Sequence, residues 1–193
     1  MYTEIFSGFL GSSDDYGGSA AVILGAPLDQ TVSFRPGARH GPRQIRSVSE
    51  VLEEYSPRLD RDLADYRYAD LGDVTVVPGE VEESLERIAH SARRVFSDGK
   101  FLVLLGGEHL ITLPAVQAAA DTYPGLAVIH FDAHADLREQ YLGRRLSHAT
   151  VMRRVTETIG PGNLFQFGVR SGTREEFSFA ASAVNFHHGL ITG

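Results

Sequence analysis

Two clusters of potential metal ligands stand directly after apolar runs of the sequence. Gly106-Gly107-Glu108-His109 follows the run 101–105, and Asp132-Ala133-His134-Ala135-Asp136 follows the run 126–131. Ligands bind open parallel sheets at the carboxyl ends of the strands, so chemistry is expected in these two segments. If the second segment stays extended, alternate side chains point the same way, which places Asp132, His134 and Asp136 on one side.

A divalent cation would explain why these groups cluster. Carboxylates a few ångströms apart repel each other, and one of them would otherwise have to bind a proton. Imidazole and carboxylate ligands without thiolate suit Mn, Fe or Zn, and the excess of carboxylates favours Mn. Two cations about 3.5–4 Å apart, joined by a bridging carboxylate, lower the pKa of a shared water towards neutrality. The pattern therefore predicts a hydrolase.

Other interpretations remain for individual residues. An Asp-x-His after a strand is commonly only a hydrogen-bonded turn, but Asp-x-His-x-Asp combined with a second glycine-flanked His favours a metal site. His148 stands at a helix start, where a histidine is often only a cap or a surface residue. Glu108 is expected to orient its loop, and His130, inside a strand, is expected in the core. His187 and His188 lack a supporting pattern and are discounted as ligands.

Composition places the chain among ordinary globular proteins. It has 193 residues, of which 42% are hydrophobic and 22% charged, which predicts one domain over 1–193. No apolar run reaches the roughly 20 residues of a membrane helix, and the N-terminus lacks a secretory pattern, so we expect no membrane partner and a cytoplasmic protein.

Charge and cysteine content narrow the chemistry further. The chain contains no cysteine, which excludes thiolate metal sites and cysteine nucleophiles. Its formal net charge of -7 argues against nucleic acid as a partner, because phosphate binding needs clustered Lys and Arg. A small cationic ligand fits an acidic protein better.

Short apolar runs alternate with helical patterns along the chain. Strands are predicted at 20–25, 101–105, 126–131 and 164–169, with a weaker candidate at 66–71. Helices are predicted at 42–55, 81–97, 113–123 and 149–159, and Thr173 and Glu176 could form a capping box for a last short helix. This alternation predicts a doubly wound α/β fold, a parallel sheet with helices on both faces in three α/β/α layers.

The motifs resemble those of the ureohydrolases, the arginase and agmatinase superfamily. The resemblance is carried by Gly106 to His109, Asp132 to Arg138 and Ser147 to Thr150, and it covers about residues 20 to 180. Further similar segments are Gly25 to Asp29, Arg35 to Arg39, Gly41-Pro42 and Asp70 to Asp73, with Tyr55 to Asp62 and Gly168 to Gly172 resembling bacterial agmatinases in particular.

The resemblance implies a role for each ligand residue. His109 and Asp136 would bind one manganese, His134 the other, and Asp132 would bridge the two, while His148 would be the catalytic proton shuttle. The implied reaction is hydrolysis of a guanidino compound to urea and an amine. For agmatine the amine is putrescine, which implies a place in polyamine biosynthesis and, as in the family, a homo-oligomer, commonly a trimer or hexamer.

The loop after the second motif bears on the substrate. Arginases carry an asparagine there that holds the substrate's α-carboxylate, whereas this chain has Leu137 to Gly143 without asparagine. The difference favours agmatine, and guanidinobutyrate and related compounds stay open.

The family pattern continues for roughly a hundred residues that this chain lacks, including an Asp-x-Asp metal motif. We therefore expect missing C-terminal strands, apolar edges left exposed, and poor stability or self-association. Two hypotheses follow: an agmatinase-like enzyme whose activity depends on the absent segment, or an inactive derivative that acts as an oligomer partner or metal binder. Asn185 to Gly193 is expected to form no strand.

Overall fold

The computed structural model describes residues 3–4 and 8–187. The chain divides into two compact units, Met1–Ile111 and Thr112–Gly193. This division does not test the assignment of a single domain, which stays a prediction. His188, discounted above as a ligand, lies outside the described residues.

The first unit is built on a four-stranded sheet. Its strands are β1 (Thr3–Glu4), β2 (Ala21–Ala26), β5 (Tyr68–Val74) and β6 (Phe101–Gly106), in the order β1-β5-β2-β6. β2 runs parallel to both neighbours, and β1 is antiparallel to β5. The run predicted at 20–25 is thus an interior strand, almost wholly buried, as a continuous apolar run requires.

Two helices pack against this sheet, α1 (Gly41–Ser49) and α2 (Val81–Ser97). A short hairpin of β3 (Tyr55–Ser56) and β4 (Arg61–Asp62) lies between α1 and β5 in the chain. α2 has the predicted bounds, because its apolar residues recur at helical spacing and are buried, namely Leu85, Ile88, Ala89, Ala92 and Val95.

The helix predicted at 42–55 ends at Ser49, six residues early. Glu50, Glu53 and Glu54 follow, and carboxylates are unfavourable at the negative end of the helix dipole. The backbone instead tightens into turns, with the Val51 and Leu52 amides donating to carbonyls three residues back. Side-chain charge, which the apolar spacing ignores, therefore sets this helix end.

The second unit has a three-stranded parallel sheet in the order β7-β8-β9, formed by Val128–Phe131, Leu164–Phe167 and Asn185–His187. Its helices are α3 (Thr112–Thr122), α4 (Val151–Ile159) and α5 (Arg174–Ala183). The capping box of Thr173 and Glu176 is present at the start of α5. Parallel strands alternating with helices confirm the α/β prediction.

Three strand predictions in this unit need correction. β7 begins at Val128 rather than 126, and β8 ends at Phe167 because Gly168 turns the chain with φ of 80°. Asn185–His187 forms β9 although no strand was expected there. Its pairing is supported by non-local contacts, for the His187 ring stacks on Phe167 with centroids 4.6 Å apart. Among the described residues, no helix is both long enough and apolar enough to span a membrane.

Candidate metal centre

The segment after β7 is held by backbone hydrogen bonds to the segment that follows β8. The Asp132 amide donates to the Phe167 carbonyl at 3.2 Å, and the Ala135 amide donates to the Ser171 carbonyl at 3.0 Å. Ala133 accepts from the Arg170 and Ser171 amides, both at 2.9 Å. Backbone pairing with the segment after β8 therefore fixes the residues between the two aspartates.

Asp132 is held by groups on both sides of its carboxylate. Its Oδ1 accepts the backbone N–H of His134 at 2.8 Å, and the His134 Nδ1 lies 3.3 Å from the same oxygen. Its Oδ2 lies 3.3 Å from Nε2 of His130. The carboxylate is about one quarter exposed, so both water and a cation can reach it.

The structure gathers three ligand groups in this unit. One ligand atom each from His130, Asp132 and Asp136 lies within 4.8 Å of the others. His134 is beside them, but its side chain is 64% exposed. The sequence predicted both aspartates and His134 as metal ligands. It predicted His130 as a core residue, and that residue is indeed buried.

Asp136 ends the extended segment in the left-handed region, with φ of 50°, a conformation that aspartate tolerates better than most residues. Its carbonyl accepts the Met152 amide at 3.0 Å and the Arg153 amide at 3.3 Å. These amides belong to the first turn of α4, which has no earlier carbonyls to bond. The start of α4 therefore fixes the backbone that carries Asp136.

Glu176 joins the same loop to α5. This buried carboxylate accepts the Leu137 amide on Oε1 at 3.0 Å and the Thr173 amide on Oε2 at 2.8 Å. Arg138 lies 3.3 Å from it and balances its charge. The capping residue of α5 therefore also positions the residue that follows Asp136.

His148 lies in the short segment before α4, as predicted. Its half-buried ring meets Tyr141 edge to face, with centroids 5.4 Å apart. The neighbouring turn is closed by Thr150, whose Oγ1 accepts the Ser147 amide at 3.0 Å and donates to the Arg145 carbonyl at 2.7 Å. The imidazole is thus held on a short, well-bonded segment.

The loop between Asp136 and α4 carries an ion-pair network. Glu139 accepts from Arg145 at 2.8 Å and from Arg154 at 3.1 Å, and both arginines also reach Glu157. The hydrogen bond from Arg154 lowers the pKa of the Glu139 carboxyl, and the charges of the surrounding arginines act in the same direction. The loop is therefore built for internal pairing and leaves Glu139 little attraction for a cationic substrate.

The first unit contains His109, which opens a short 3-10 turn over His109–Ile111 whose other two residues are buried. Glu108 precedes it and is buried itself. Its carboxylate accepts the Gln30 and Thr31 amides at 2.9 and 2.8 Å and the Thr31 hydroxyl at 2.6 Å. Glu108 therefore ties the β6 loop to the β2 loop, which is the orienting role expected from the sequence.

The donor set of the second unit fits a divalent cation. Carboxylate and imidazole groups without thiolate are the ligands of such ions. Two carboxylates whose oxygens lie within 4.8 Å of each other repel in a partly buried loop, and a divalent cation reverses that repulsion.

Gln166 is a residue of this region that the motifs did not single out. It is fully buried on β8, and its Nε2 lies 2.8 Å from the Ala135 carbonyl and 2.9 Å from Nδ1 of His130. The sequence contained a signal, because a glutamine inside an apolar strand must find buried partners. The partners themselves come from β7 and its loop and are visible only in the fold.

The chain matches known proteins over most of its length. The family model described as the Arginase family matches residues 19–190. An agmatinase from Bacillus subtilis is 48% identical over 181 residues, covering 93% of this chain and 62% of that protein. An N(1)-aminopropylagmatine ureohydrolase from Thermococcus kodakarensis is 40% identical over 161 residues, covering 82% of this chain and 54% of that protein.

The fold has similar solved structures as well. The agmatine ureohydrolase of Thermoplasma volcanium superposes with a TM-score of 0.85 at 34% identity, covering 95% of this chain and 61% of that one. The chain thus spans about three fifths of the length of the relatives it matches, and nearly all of its own residues take part in the match.

Proposed function

The chain belongs to the arginase family, and from that premise we propose that it carries part of the manganese centre of a ureohydrolase. The proposed reaction is hydrolysis of a guanidino compound, with agmatine giving putrescine and urea. The observation that supports it best is the group of His130, Asp132 and Asp136 atoms at the carboxyl end of β7, all within 4.8 Å of each other.

The proposed ligand roles follow the family motifs. Asp136 and His109 would hold one manganese, His134 the other, and Asp132 would bridge them. When bound, such a pair of cations supplies Lewis acidity and lowers the pKa of water towards neutrality. The chain's own contribution is to fix the loop, through the Ala135–Ser171 pairing and the bonds of Asp136 to α4.

His148 is the proposed proton shuttle. An imidazole has two ring nitrogens, so it can accept a proton on one and hand a proton to a departing amine from the other. Its edge contact with Tyr141 and the bonded turn before α4 limit its orientations. A half-buried ring on a short segment can face the substrate without losing access to water.

Agmatine is the proposed substrate because the loop 137–143 offers no asparagine for an α-carboxylate. Two arginines in and just after this loop already pair with carboxylates: Arg138 pairs with Glu176, and Arg145 pairs with Glu139 and Glu157. The names of two relatives, agmatinase and N(1)-aminopropylagmatine ureohydrolase, agree with a guanidino amine. Guanidinobutyrate is the alternative, and its carboxylate would need a cationic partner.

A role in putrescine and polyamine biosynthesis belongs to the same proposal, as does a cytoplasmic location. A homo-oligomer, trimeric or hexameric, and the absence of a nucleic-acid partner stay predictions from the sequence.

The metal centre is tested by Asp136→Asn. Asparagine tolerates the left-handed backbone of this position, so the variant removes the charge and leaves the loop unchanged. We expect Mn²⁺ affinity, measured from the EPR signal of free Mn²⁺ during titration, to fall more than about tenfold. The matched control is Asp60→Asn, an exposed aspartate with φ of 49°, which should bind Mn²⁺ as the unmodified chain does. Equal affinity in all three proteins would contradict the proposed centre.

Urea release tests the reaction. Because the resemblance implies further carboxylate ligands, the 193 residues alone are predicted to release little urea from agmatine with added Mn²⁺. Robust release that His109→Ala abolishes would overturn that prediction and support the proposed chemistry in this chain. Comparing agmatine, guanidinobutyrate and arginine as substrates would then identify the guanidino compound.

A further inference from the structure

His130 stands among the metal-ligand candidates, and its geometry alone does not say what it does. Its Nε2 lies 3.3 Å from Oδ2 of Asp132, within the group of close ligand atoms. A neutral imidazole can bind a cation only through a nitrogen that carries no proton. Which nitrogen carries the proton therefore decides between a ligand and a hydrogen-bond donor.

Gln166 settles the proton's position. Its amide faces the Ala135 carbonyl at 2.8 Å, and a carbonyl can only accept, so the group facing it must be the NH₂. The same nitrogen lies 2.9 Å from Nδ1 of His130. Its second N–H points at that ring nitrogen, which must therefore be the bare acceptor.

The opposite amide orientation is unfavourable. It would place the Gln166 carbonyl oxygen against the Ala135 oxygen, two acceptors at hydrogen-bond distance, in a site where Gln166 is fully buried. In the observed orientation the Gln166 oxygen has no hydrogen-bond partner among the described residues. One unmet acceptor costs less than the flipped amide would. In the flipped amide the NH₂ would lose both of its partners, the Ala135 carbonyl and Nδ1 of His130.

We propose that His130 and Gln166 are a positioning pair for the metal carboxylate, and that His130 is not itself a ligand. Gln166 holds His130 as the Nε2–H tautomer, and His130 donates that N–H to Oδ2 of Asp132. With the His134 backbone N–H on Oδ1 at 2.8 Å, the plane of the carboxylate is fixed from both sides. A carboxylate oxygen has two acceptor sites, so accepting one hydrogen bond does not prevent it from binding a cation.

Gln166 has a second effect through Ala135. That residue lies between His134 and Asp136, so a bond to its carbonyl holds the backbone that carries two proposed ligands. One buried amide on β8 thereby orients the Asp132 carboxylate through His130 and the His134–Asp136 backbone directly. Groups of this kind, behind the ligands, typically change metal affinity about 10–100-fold when removed.

This inference rests on the proposed metal centre, but its first test needs no metal. Long-range ¹H–¹⁵N correlation spectra of the histidine rings in the unmodified chain report which nitrogen of His130 is protonated. We expect a protonated Nε2 and a bare Nδ1. A His130 ring protonated on Nδ1 and bare on Nε2 would overturn the positioning pair.

Substitution of His130 supplies the second test, with Mn²⁺ alone as the probe. His130→Leu removes the donor, and we expect Mn²⁺ affinity to fall about 10–100-fold. A glutamine amide places an N–H close to where Nε2–H was, so His130→Gln should recover most of the loss. If His130 were a ligand, the leucine and glutamine variants would lose affinity alike.

Gln166→Leu completes the set. Without its amide, both tautomers of His130 become accessible, so the ring spectrum should change and Mn²⁺ affinity should fall in the same direction as in His130→Leu. Gln117→Leu, on the exposed face of α3, is the matched control and should alter neither. Unchanged ring spectra in folded Gln166→Leu would contradict the positioning pair. If that variant does not fold, the spectrum of the unmodified chain still decides.

No Mn²⁺ binding by the unmodified chain, with His130 still protonated on Nε2, would instead count against the proposed function.

Discussion

Glu139 is the centre of the ion-pair network in the loop that follows Asp132–Asp136. Its hydrogen bond with Arg154 lowers the pKa of its carboxyl below the ordinary 4.5. A carboxylate whose pKa is lower in the folded state adds stability above its unfolded pKa, and that stability is lost as the pH falls through the folded pKa. The carboxylate is half exposed, so solvent screening keeps the gain small.

Glu139→Gln should therefore destabilise the chain in a pH-dependent way. We expect the free energy of unfolding to fall by up to about 1 kcal/mol near neutral pH, and the difference from the unmodified chain to vanish well below pH 4.5. Urea denaturation at both pH values measures this difference. The control is Glu86→Gln, on the exposed face of α2. A loss of equal size at both pH values would show that the ion pairs are not its cause.

Individual residues of the site differ in how far a sequence predicts them. Asp132, His134 and Asp136 were predicted from alternation along an extended segment, which is a local property of the sequence. The structure brings the two aspartates together and leaves the His134 side chain exposed beside them. His130 was predicted as a core residue, which its burial bears out, and its contact with Asp132 joins residues only two apart. Its contact with Gln166, by contrast, depends on the register of β7 and β8. That register joins residues 36 positions apart, which no local pattern encodes.

At the scale of elements, α1 is attached to β5 by a buried ionic cluster of one arginine and two aspartates. Arg46 is 1% exposed and donates to Asp70 through Nε at 2.7 Å and Nη2 at 2.9 Å, and its third contact is Asp73. Burying two carboxylates and one guanidinium costs desolvation free energy, and only their mutual attraction offsets that cost. The helix is thus oriented by charge as well as by its apolar face.

Arg46→Leu should consequently be strongly destabilising. The substitution leaves two carboxylates without their cation, which costs about 3–5 kcal/mol for a buried pair. Chemical denaturation followed by circular dichroism measures the loss. Arg58→Leu, at an exposed position of the β3–β4 hairpin, should stay within about 0.5 kcal/mol. Comparable losses in the two variants would mean that the ionic cluster is not what holds α1.

The β6 loop is a second element-level feature, because it carries His109 against the end of β2. The Gly107 amide donates to the Ala26 carbonyl, and the Glu108 amide donates to the Leu28 carbonyl at 2.8 Å. A Cβ on Gly107 would overlap both of those carbonyl oxygens and the Leu28 amide nitrogen. Glycine is required there by close backbone approach, which explains the Gly-Gly before Glu108.

Gly107→Ala should therefore displace the loop. We expect a loss of about 1–3 kcal/mol in unfolding free energy, typical of forced overpacking, together with weaker Mn²⁺ binding because His109 moves. Calorimetry and Mn²⁺ titration on the same samples separate the two effects. Gly162→Ala is the matched control, since a Cβ there meets nothing within 4 Å. Unaltered Mn²⁺ binding in a destabilised Gly107→Ala variant would remove His109 from the proposed centre.

Element boundaries were predicted where an apolar pattern and a stop signal coincide. α2 fits because its buried face runs to Val95 and Gly99, just past the helix, has the positive φ of 69° typical of a helix end. α1 ended early because acidic residues follow Ser49, and β9 was missed because its three residues are supported by ring contacts with other elements. The acidic residues are visible in the sequence but not in its apolar spacing, whereas the ring contacts of β9 appear only in the fold.

At the scale of the whole molecule, each unit presents apolar side chains along an end strand of its sheet. Phe101 and Val103 on β6 are 70% and 37% exposed, and Ile129 and Phe131 on β7 are 63% and 69% exposed. Each pair is two residues apart and therefore shares a strand face. Parallel strands normally have both faces covered, and exposed apolar edges of this kind promote pairing between chains.

We accordingly expect the chain to associate as its concentration rises. Sedimentation velocity over a concentration series should show a rising average mass, and the double variant Phe101→Lys with Ile129→Lys should reduce it, because a lysine on an end strand opposes pairing with a second edge. Leu59→Lys is the control: Leu59 is 69% exposed but lies in the β3–β4 hairpin, so this change should leave association unaltered. If the double variant associates as strongly as the unmodified chain, another surface is responsible for the association. If the unmodified chain is monomeric at every concentration, the exposed edges do not drive association.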